Sequence, residues 1–163
     1  EVALAGASEA AAVLGYSVTR WHELRGEAAE IGAEFARDLC AIDRERVCVI
    51  AGGEPAVTVR GKGKGGRAQH CALAAAIELA RIAVGRRIAL LCAGTDGIDG
   101  PTGAAGAFAS PATVEAGRRA GLAAWTSLER DDSYNYFVRA GGLFVTGPTG
   151  ANVGDIAIGL VNY

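Results

Sequence analysis

Three short apolar runs, each breaking off into a glycine-rich turn, constrain this chain more than any other feature. Val47–Ala51 runs into Gly52-Gly53-Glu54-Pro55, Ile88–Ala93 into Gly94-Thr95-Asp96-Gly97-Ile98-Asp99-Gly100-Pro101-Thr102-Gly103, and Leu143–Thr146 into Gly147-Pro148-Thr149-Gly150-Ala151-Asn152. Runs this short and this apolar read as strands buried on both faces. Before the first and between the first and second lie stretches with helical spacing: 26–42, with Ala28, Ile31, Phe35, Leu39 and Ile42, and the alanine-rich 67–82. Apolar strands alternating with helices predict an α/β fold with a mostly parallel sheet flanked by helices. Loops that follow the C-terminal ends of parallel strands share one edge, and ligands bind there.

Further elements fit the same pattern. The sequence predicts a short helix over 8–14, closed by Gly15, strands over 16–21, 56–60 and 156–161, a helix opened by Ser110-Pro111 and running to about Ala120, and a helix over 131–140. Around Arg44–Arg46 an amphipathic helix gives way to a buried strand. The expected division is therefore 1–45 as the tail of a preceding domain, and 46–163 as the α/β domain. The chain has no methionine, even at its start. That suggests a fragment of a longer product or a processed chain, whose N-terminal domain would be a missing partner.

Composition excludes several classes of function. A formal charge of −2 over 163 residues gives no reason to expect nucleic acid or an anionic membrane as a general partner. No apolar run approaches the roughly 20 residues of a membrane span, and no secretory signal opens the chain. The four cysteines, Cys40, Cys48, Cys71 and Cys92, lack C-x-x-C spacing. They read as free thiols in a cytoplasmic protein.

Candidate chemistry lies in the loops. Gly61-Lys62-Gly63-Lys64-Gly65-Gly66-Arg67 holds the chain's only two lysines and precedes the alanine-rich helix. Glycines allow close backbone approach, three cations supply charge, and the N–H groups of a helix start favour an anion such as phosphate. A solvated turn is the alternative. Asp96 and Asp99 are hard oxygen donors suited to Mg²⁺, which takes one or two carboxylates plus phosphates and water. Glu54, Thr149 and Asn152 would join them on the shared edge. Cations beside a metal-holding carboxylate are what phosphoryl transfer needs. His70 reads as a helix-surface residue, His22 has no partner at a recognisable spacing, and Asp131-Asp132-Ser133 reads as a helix cap. Gly61, Gly63 and Gly66 match Gly-x-Gly-x-x-Gly, but the acid expected about 20 residues on is absent, and no P-loop pattern occurs.

In order, Gly52-Gly53-Glu54, Val57-Thr58-Val59, Gly61-x-Gly63-x-Gly65-Gly66-Arg67-x-Gln69, Ala93-Gly94-Thr95-Asp96-Gly97-Ile98-Asp99-Gly100-Pro101-Thr102, Asp132-Ser133-Tyr134 and Thr146-Gly147-Pro148-Thr149-Gly150-x-Asn152-Val153 resemble the C-terminal MOFRL domain of type-2 glycerate kinases. The resemblance covers the chain from about Val47 onward. It implies part of an enzyme that uses ATP and Mg²⁺ to phosphorylate the 2-hydroxyl of glycerate in a cleft between two domains. It also implies site roles. Arg67 and Asp96 would be catalytic, and Gly63, Lys64, Gly65, Gly66, Thr149 and Asn152 would bind the nucleotide. Glu54 and Lys62 would meet the substrate, and Asp96 and Asp99 the metal. The family usually carries Asn and Glu on either side of Gln69, where this chain has Ala68 and His70, and Asp where it has Gly103. Two alternatives stay open: an oxidoreductase of the hydroxypyruvate reductase kind, a common label in the family, and a non-catalytic binding or assembly domain, for instance a homodimer through the alanine-rich helix.

Overall fold

The computed structural model describes residues 1–83 and 85–162, so Val84 and Tyr163 of the expected 46–163 unit lie outside it. Among the described residues twelve elements follow in order: α1 (Val2–Val13), β1 (Ser17–Arg20), α2 (Ala28–Ala41), β2 (Val47–Gly53), α3 (Arg67–Ile82), β3 (Ile88–Gly94), β4 (Gly106–Ala109), α4 (Thr113–Arg119), α5 (Ala124–Glu129), α6 (Ser133–Ala140), β5 (Leu143–Phe144) and β6 (Asp155–Val161). The class is α/β, as expected. The six strands form one sheet in the order β1-β2-β6-β3-β4-β5.

The pairing within that sheet corrects the expectation of mostly parallel neighbours. Among the described strands only β1 and β2 pair in parallel; β2–β6, β6–β3, β3–β4 and β4–β5 are antiparallel. Apolar runs demand burial on two faces, and helices on both faces satisfy that demand whichever way the neighbours run. The strand direction still serves the loops. Two antiparallel steps restore direction, so β2, β3 and β5 all point the same way and their following loops gather at one edge.

Alternation along the central strands sorts side chains between two cores. Val47, Val49 and Ala51 of β2, Ile88, Leu90 and Cys92 of β3, and Ala157 and Val161 of β6 face α2 and α3. Cys48 and Ile50, with half-buried Ile156, Ile158 and Leu160, face α1. Residues before position 45 share these cores: Phe35 and Leu39 of α2 are fully buried in the larger one, and Ala11 of α1 is buried in the smaller.

The alanine-rich α3 is the centre of the larger core. Ala68, Ala72, Ala74, Ala75 and Ala76 are all buried within this one chain. That corrects the idea of a homodimer through this helix, because its small-residue faces are already covered by α2 and the sheet. The small residues allow close approach. A Cβ on Gly32 of α2 would lie 2.2 Å from the Cys71 carbonyl oxygen of α3, and one on Gly159 of β6 would lie 2.5 Å from the Leu39 side chain.

Other differences have local causes. Residues 57–60 form no strand: Ala56 makes a single bridge to Glu27, and Thr58 then gives both its N–H and its hydroxyl to the Glu27 carboxylate at 3.1 and 2.5 Å. A side chain has taken the place of a neighbouring strand. α4 starts at Thr113 because Ser110 closes a preceding turn, accepting the Ala112 N–H on its Oγ at 3.3 Å. β4 and α5 have no clear signal in the sequence; Gly-Ala-Phe-Ala carries little strand pattern, and α5 is only six residues long.

Replacing Gly32 by Ala forces the α2–α3 crossing apart, and the expected cost is about 1–3 kcal/mol. Urea unfolding of the variant measures it; an unchanged midpoint would mean the helices do not cross this closely.

Candidate functional site

The glycine loop is pinned by acids before any ligand is considered. Asp131 Oδ2 accepts the N–H groups of Arg60 and Gly61 at 2.7 and 2.6 Å, and Asp132 Oδ1 accepts that of Lys64 at 2.8 Å. Gly63 N–H donates to the Arg130 carbonyl at 2.9 Å. Approach is so close that a Cβ on Gly61 would lie 2.2 Å from that carbonyl oxygen. Asp131 and Asp132 therefore hold the loop, which corrects their reading as a helix cap; Asp132 makes no capping bond to α6. The N–H groups of Gly63 and Lys64 are used up in the same way, so the nucleotide contacts expected of them reduce to the Lys64 side chain. Its ammonium lies 4.6 Å above the Tyr134 ring. Lys62 is exposed.

The start of α3 is likewise occupied. Asp99 is 3% exposed, and its two carboxylate oxygens accept the N–H groups of Ala68 and Gln69 at 3.0 and 2.8 Å. Gln69 Nε2 donates to Thr102 Oγ1 at 2.9 Å, and Thr102 donates to the Asp99 carbonyl at 2.7 Å. Burial raises the Asp99 pKa above its ordinary value, against the pull of these N–H groups and of Arg67. Asp99 thus anchors the β3 loop to the helix. With both oxygens committed it does not fit the expected metal role, and the helix N-terminus already holds an anion of its own chain.

Part of the loop remains available. Among the described residues, the N–H groups of Gly65, Gly66 and Arg67 have no protein partner. The buried Ser133 Oγ beside them has none either. A Cβ on Gly65 would lie 2.2 Å from that oxygen, and one on Gly66 2.2 Å from Asp99 Oδ1, so only glycine fits there. A recess of about 350 Å³ bounded by Gly63, Gly65, Gly66, Arg67 and Ser133 opens at this point.

Arg67 is the organising charge. Its Nε and Nη2 meet Asp155 Oδ2 and Oδ1 at 2.7 and 3.1 Å, and its Nη1 meets Glu54 Oε1 at 2.9 Å. Of the five guanidinium N–H donors, two are left over. Asp155 is a residue that sequence reasoning missed. It opens β6, and the antiparallel register sets it beside Gly53 at the end of β2 and Gly94 at the end of β3. In a parallel sheet the start of that strand would lie at the opposite edge. Asp155 is 6% exposed. Burial pushes its pKa up to about 6, opposed by Arg67 and reinforced by the charges of Asp99 and Glu54.

Asp96, Asn152 and Thr149 complete the edge. Asp96 Oδ1 accepts the Ile98 N–H at 3.0 Å, while its second oxygen has no hydrogen-bond partner among the described residues. Thr149 ties the β5 loop to the β3 loop, its N–H donating to the Asp96 carbonyl at 3.1 Å and its hydroxyl to the Thr95 carbonyl at 2.5 Å. That structural task replaces the free nucleotide contact expected of its hydroxyl. Asn152 is exposed and accepts the Gly154 N–H at 3.3 Å. Arg67, Asp96, Asn152 and Asp155 line a cleft of about 310 Å³. Asp155 also borders a second hollow of about 480 Å³, where β2 ends near Trp21.

His70 corrects its surface reading. It is 8% exposed, burial lowers its pKa, and its Nδ1 lies 3.9 Å from Asp131 Oδ1, too far for a hydrogen bond. Ala68 lies in the core rather than on the cleft, and Gly103 is exposed with open space around it. The Gly-x-Gly-x-x-Gly match also loses its context: no strand precedes it, and its glycines fit against the 130–133 turn and Asp99.

The fold and site define a mixed-sheet α/β unit whose loop edge carries an arginine clamped between buried and exposed carboxylates. The MOFRL family model matches residues 47–155, and the chain belongs to that family. It is 44% identical over 118 residues to the D-glycerate 2-kinase of Thermotoga maritima, covering 72% of this chain and 28% of that protein. It is 41% identical over 140 residues to human glycerate kinase, covering 82% of this chain and 27% of that one. The crystal structure of the Thermotoga maritima glycerate kinase matches with a TM-score of 0.90 at 38% identity, over 97% of this chain and 39% of that one. A Pyrococcus horikoshii structure matches with a TM-score of 0.88 at 34% identity, over 97% of this chain and 37% of that one. The chain thus spans less than two fifths of each of these relatives. No helix among the described residues is long and apolar enough to cross a membrane.

The raised pKa of Asp155 makes a signed prediction. The folded state holds this proton more tightly than the unfolded chain does. Stability therefore falls as pH rises from the ordinary carboxylate range to about 6. Asp99 acts in the same direction, so Asp155→Asn shrinks the decline rather than abolishing it. Urea unfolding at a series of pH values measures the slope; an unaltered slope would assign it to other groups.

Proposed function

We propose that this chain supplies one wall of the active-site cleft of a glycerate 2-kinase, which transfers a phosphoryl group from ATP to the 2-hydroxyl of glycerate. The observation that carries the reading is Arg67, held by Asp155 and Glu54 with two N–H donors to spare at the cleft. The names of the relatives support the same assignment. On this reading the remaining length found in the relatives supplies the facing wall as a preceding domain, and residues 1–45, which share the cores of this unit, lead into it from that preceding domain.

The residues then divide the work. Arg67 binds an anionic oxygen of glycerate or of the transferring phosphoryl group; the fixed planar fork suits either. Asp155 and Glu54 hold the guanidinium in place, so little reorganisation is needed as charge develops. The N–H groups of Gly65 and Gly66 and the Ser133 hydroxyl offer donors to a phosphate, with Lys62 and Lys64 adding charge from the solvent side. Asp96 has one free carboxylate oxygen, a hard donor that fits Mg²⁺ in the manner of sites sharing one or two carboxylates with substrate phosphates. The ion, when bound, neutralises phosphate charge. The hydroxyl oxygen forms the new bond to the γ-phosphorus while the bond to the β–γ bridging oxygen breaks, ADP leaves, and the hydroxyl proton is released to solvent.

In the full-length enzyme, Arg67→Ala is expected to lower kcat/KM for glycerate with Mg-ATP by about 10²–10³-fold, with the fold retained by circular dichroism. Arg67→Lys is expected to recover little, because an ammonium cannot hold both carboxylates in the same fork. Near-normal turnover in the alanine variant would overturn the role. Calorimetric titration of this chain with Mg-ATP, beside a Lys62→Ala/Lys64→Ala variant, tests which wall carries the nucleotide; saturable binding lost in the variant is the expected outcome.

A further inference from the structure

A second constellation lies away from the cleft, where the segment after β1 crosses α2. His22, Glu34 and Asp38 each offer a donor atom, and the three donors lie within 4.8 Å of one another. Glu34 and Asp38 are four residues apart on α2, hence on one helical face. His22 Nε2 lies 3.3 Å from Glu34 Oε1. We propose that His22, Glu34 and Asp38 form a binding site for a first-row divalent cation of the Zn²⁺ type, with water filling the remaining positions.

Three features carry this beyond a chance meeting of charges. The first is the tautomer of His22. Its Nδ1 lies 3.2 Å from the Glu23 carbonyl oxygen, which can only accept, so a hydrogen bond there places the proton on Nδ1. In the neutral ring Nε2 then presents a lone pair directly to a carboxylate oxygen. Two lone pairs at that distance need a cation between them, either a proton or a metal ion. A ring nitrogen freed by a hydrogen bond from the other to a backbone carbonyl is the usual arrangement in metal-ligating histidines.

The second is spacing. Zn–N and Zn–O bonds of roughly 2.0–2.2 Å in tetrahedral geometry separate donors by about 3.3–3.5 Å. The His22–Glu34 separation of 3.3 Å already matches one edge of such a tetrahedron, and the Asp38 donor lies within 4.8 Å of both. The third is outer-shell support, all from Trp21. Its Nε1 donates to Asp38 Oδ2 at 2.6 Å, leaving Oδ1 for a ligand. Its ring lies against that of His22, with centroids 3.4 Å apart, and meets the buried Phe35 edge-on at 5.1 Å. An indole anchored in the core thus orients two of the three donors. An imidazole with two carboxylates favours Zn²⁺ over Mg²⁺, which prefers oxygen alone. The ion would staple the loop after β1 to the second turn and beyond of α2.

Calorimetric titration of the purified chain with Zn²⁺, with Mg²⁺ as control, tests the site. One Zn²⁺ per chain is expected, with an affinity at least about tenfold weaker in His22→Gln and in Glu34→Gln, no comparable Mg²⁺ binding, and a Zn²⁺-dependent rise in Tm lost in both variants. These side chains are half exposed, so the variants are expected to fold as the parent does. Absence of saturable Zn²⁺ binding overturns the proposal and leaves a protonated His22–Glu34 ion pair. Binding of equal strength in both variants overturns it too, and assigns the metal to other donors such as the cysteines.

Discussion

The rest of the site depends on one buried carboxylate. Asp99 lies at the point where the β3 loop, the end of the glycine loop and the start of α3 meet, and its two oxygens close the first turn of that helix from outside. Hydrogen bonds from N–H groups at a helix start stabilise a buried anion and favour its charged form. Here they work against burial, which raises the pKa. Because α3 is the core helix and Arg67 is its first residue, this contact fixes where Arg67 begins. Gly66 must be glycine to let Asp99 approach, since a Cβ would lie 2.2 Å from its Oδ1. An anion site on α3 is therefore filled internally, and the donors without a partner among the described residues lie one step outward, on the Arg67 side chain and at the N–H groups of Gly65 and Gly66.

Arg67 and Asp155 form the second tier. The bidentate contact between them joins the start of α3 to the start of β6, 88 residues apart in sequence. Breaking such a pair from one side leaves a buried charge without compensation, so each partner is sensitive to loss of the other. Glu54 lies on the solvent side of the same guanidinium and is largely exposed. Its ion pair adds little stability in water, and its value is in orienting Arg67. The three residues come from three separate elements, and all reach the edge where β2 and β3 end.

The glycine loop illustrates how one composition serves two purposes. Gly61 and Gly63 are demanded by contact with Arg130 and Asp132, and Gly65 by Ser133. Asp131, at φ 56°, adopts the left-handed conformation to turn its carboxylate toward Arg60 and Gly61. Packing thus explains most of these glycines. What it leaves is a short run of unpaired donors at the mouth of the recess, with two exposed lysines nearby. The loop is neither a flexible turn nor a phosphate cradle along its whole length.

By itself, the sequence determined the class of fold, the span of α3 from Arg67 to Ile82, the buried character of β2 and β3, and the gathering of Glu54 and Asp96 at one edge. Apolar runs, helical spacing and glycine punctuation are local properties, and local physics suffices to read them. Only the tertiary structure decided which strands are neighbours, and with that the place of Asp155. Two antiparallel insertions leave the directions of β2, β3 and β5 unchanged but reverse β6, bringing its first residue to the site. The roles of the acids were also beyond the sequence. Asp96 and Asp99 are three residues apart in one turn, yet one has an oxygen with no hydrogen-bond partner among the described residues while the other spends both on a helix start. Asp131 and Asp132 spend theirs on a loop some 70 residues upstream. What a carboxylate does depends on which N–H groups and how much water surround it, and those are set by elements far away along the chain.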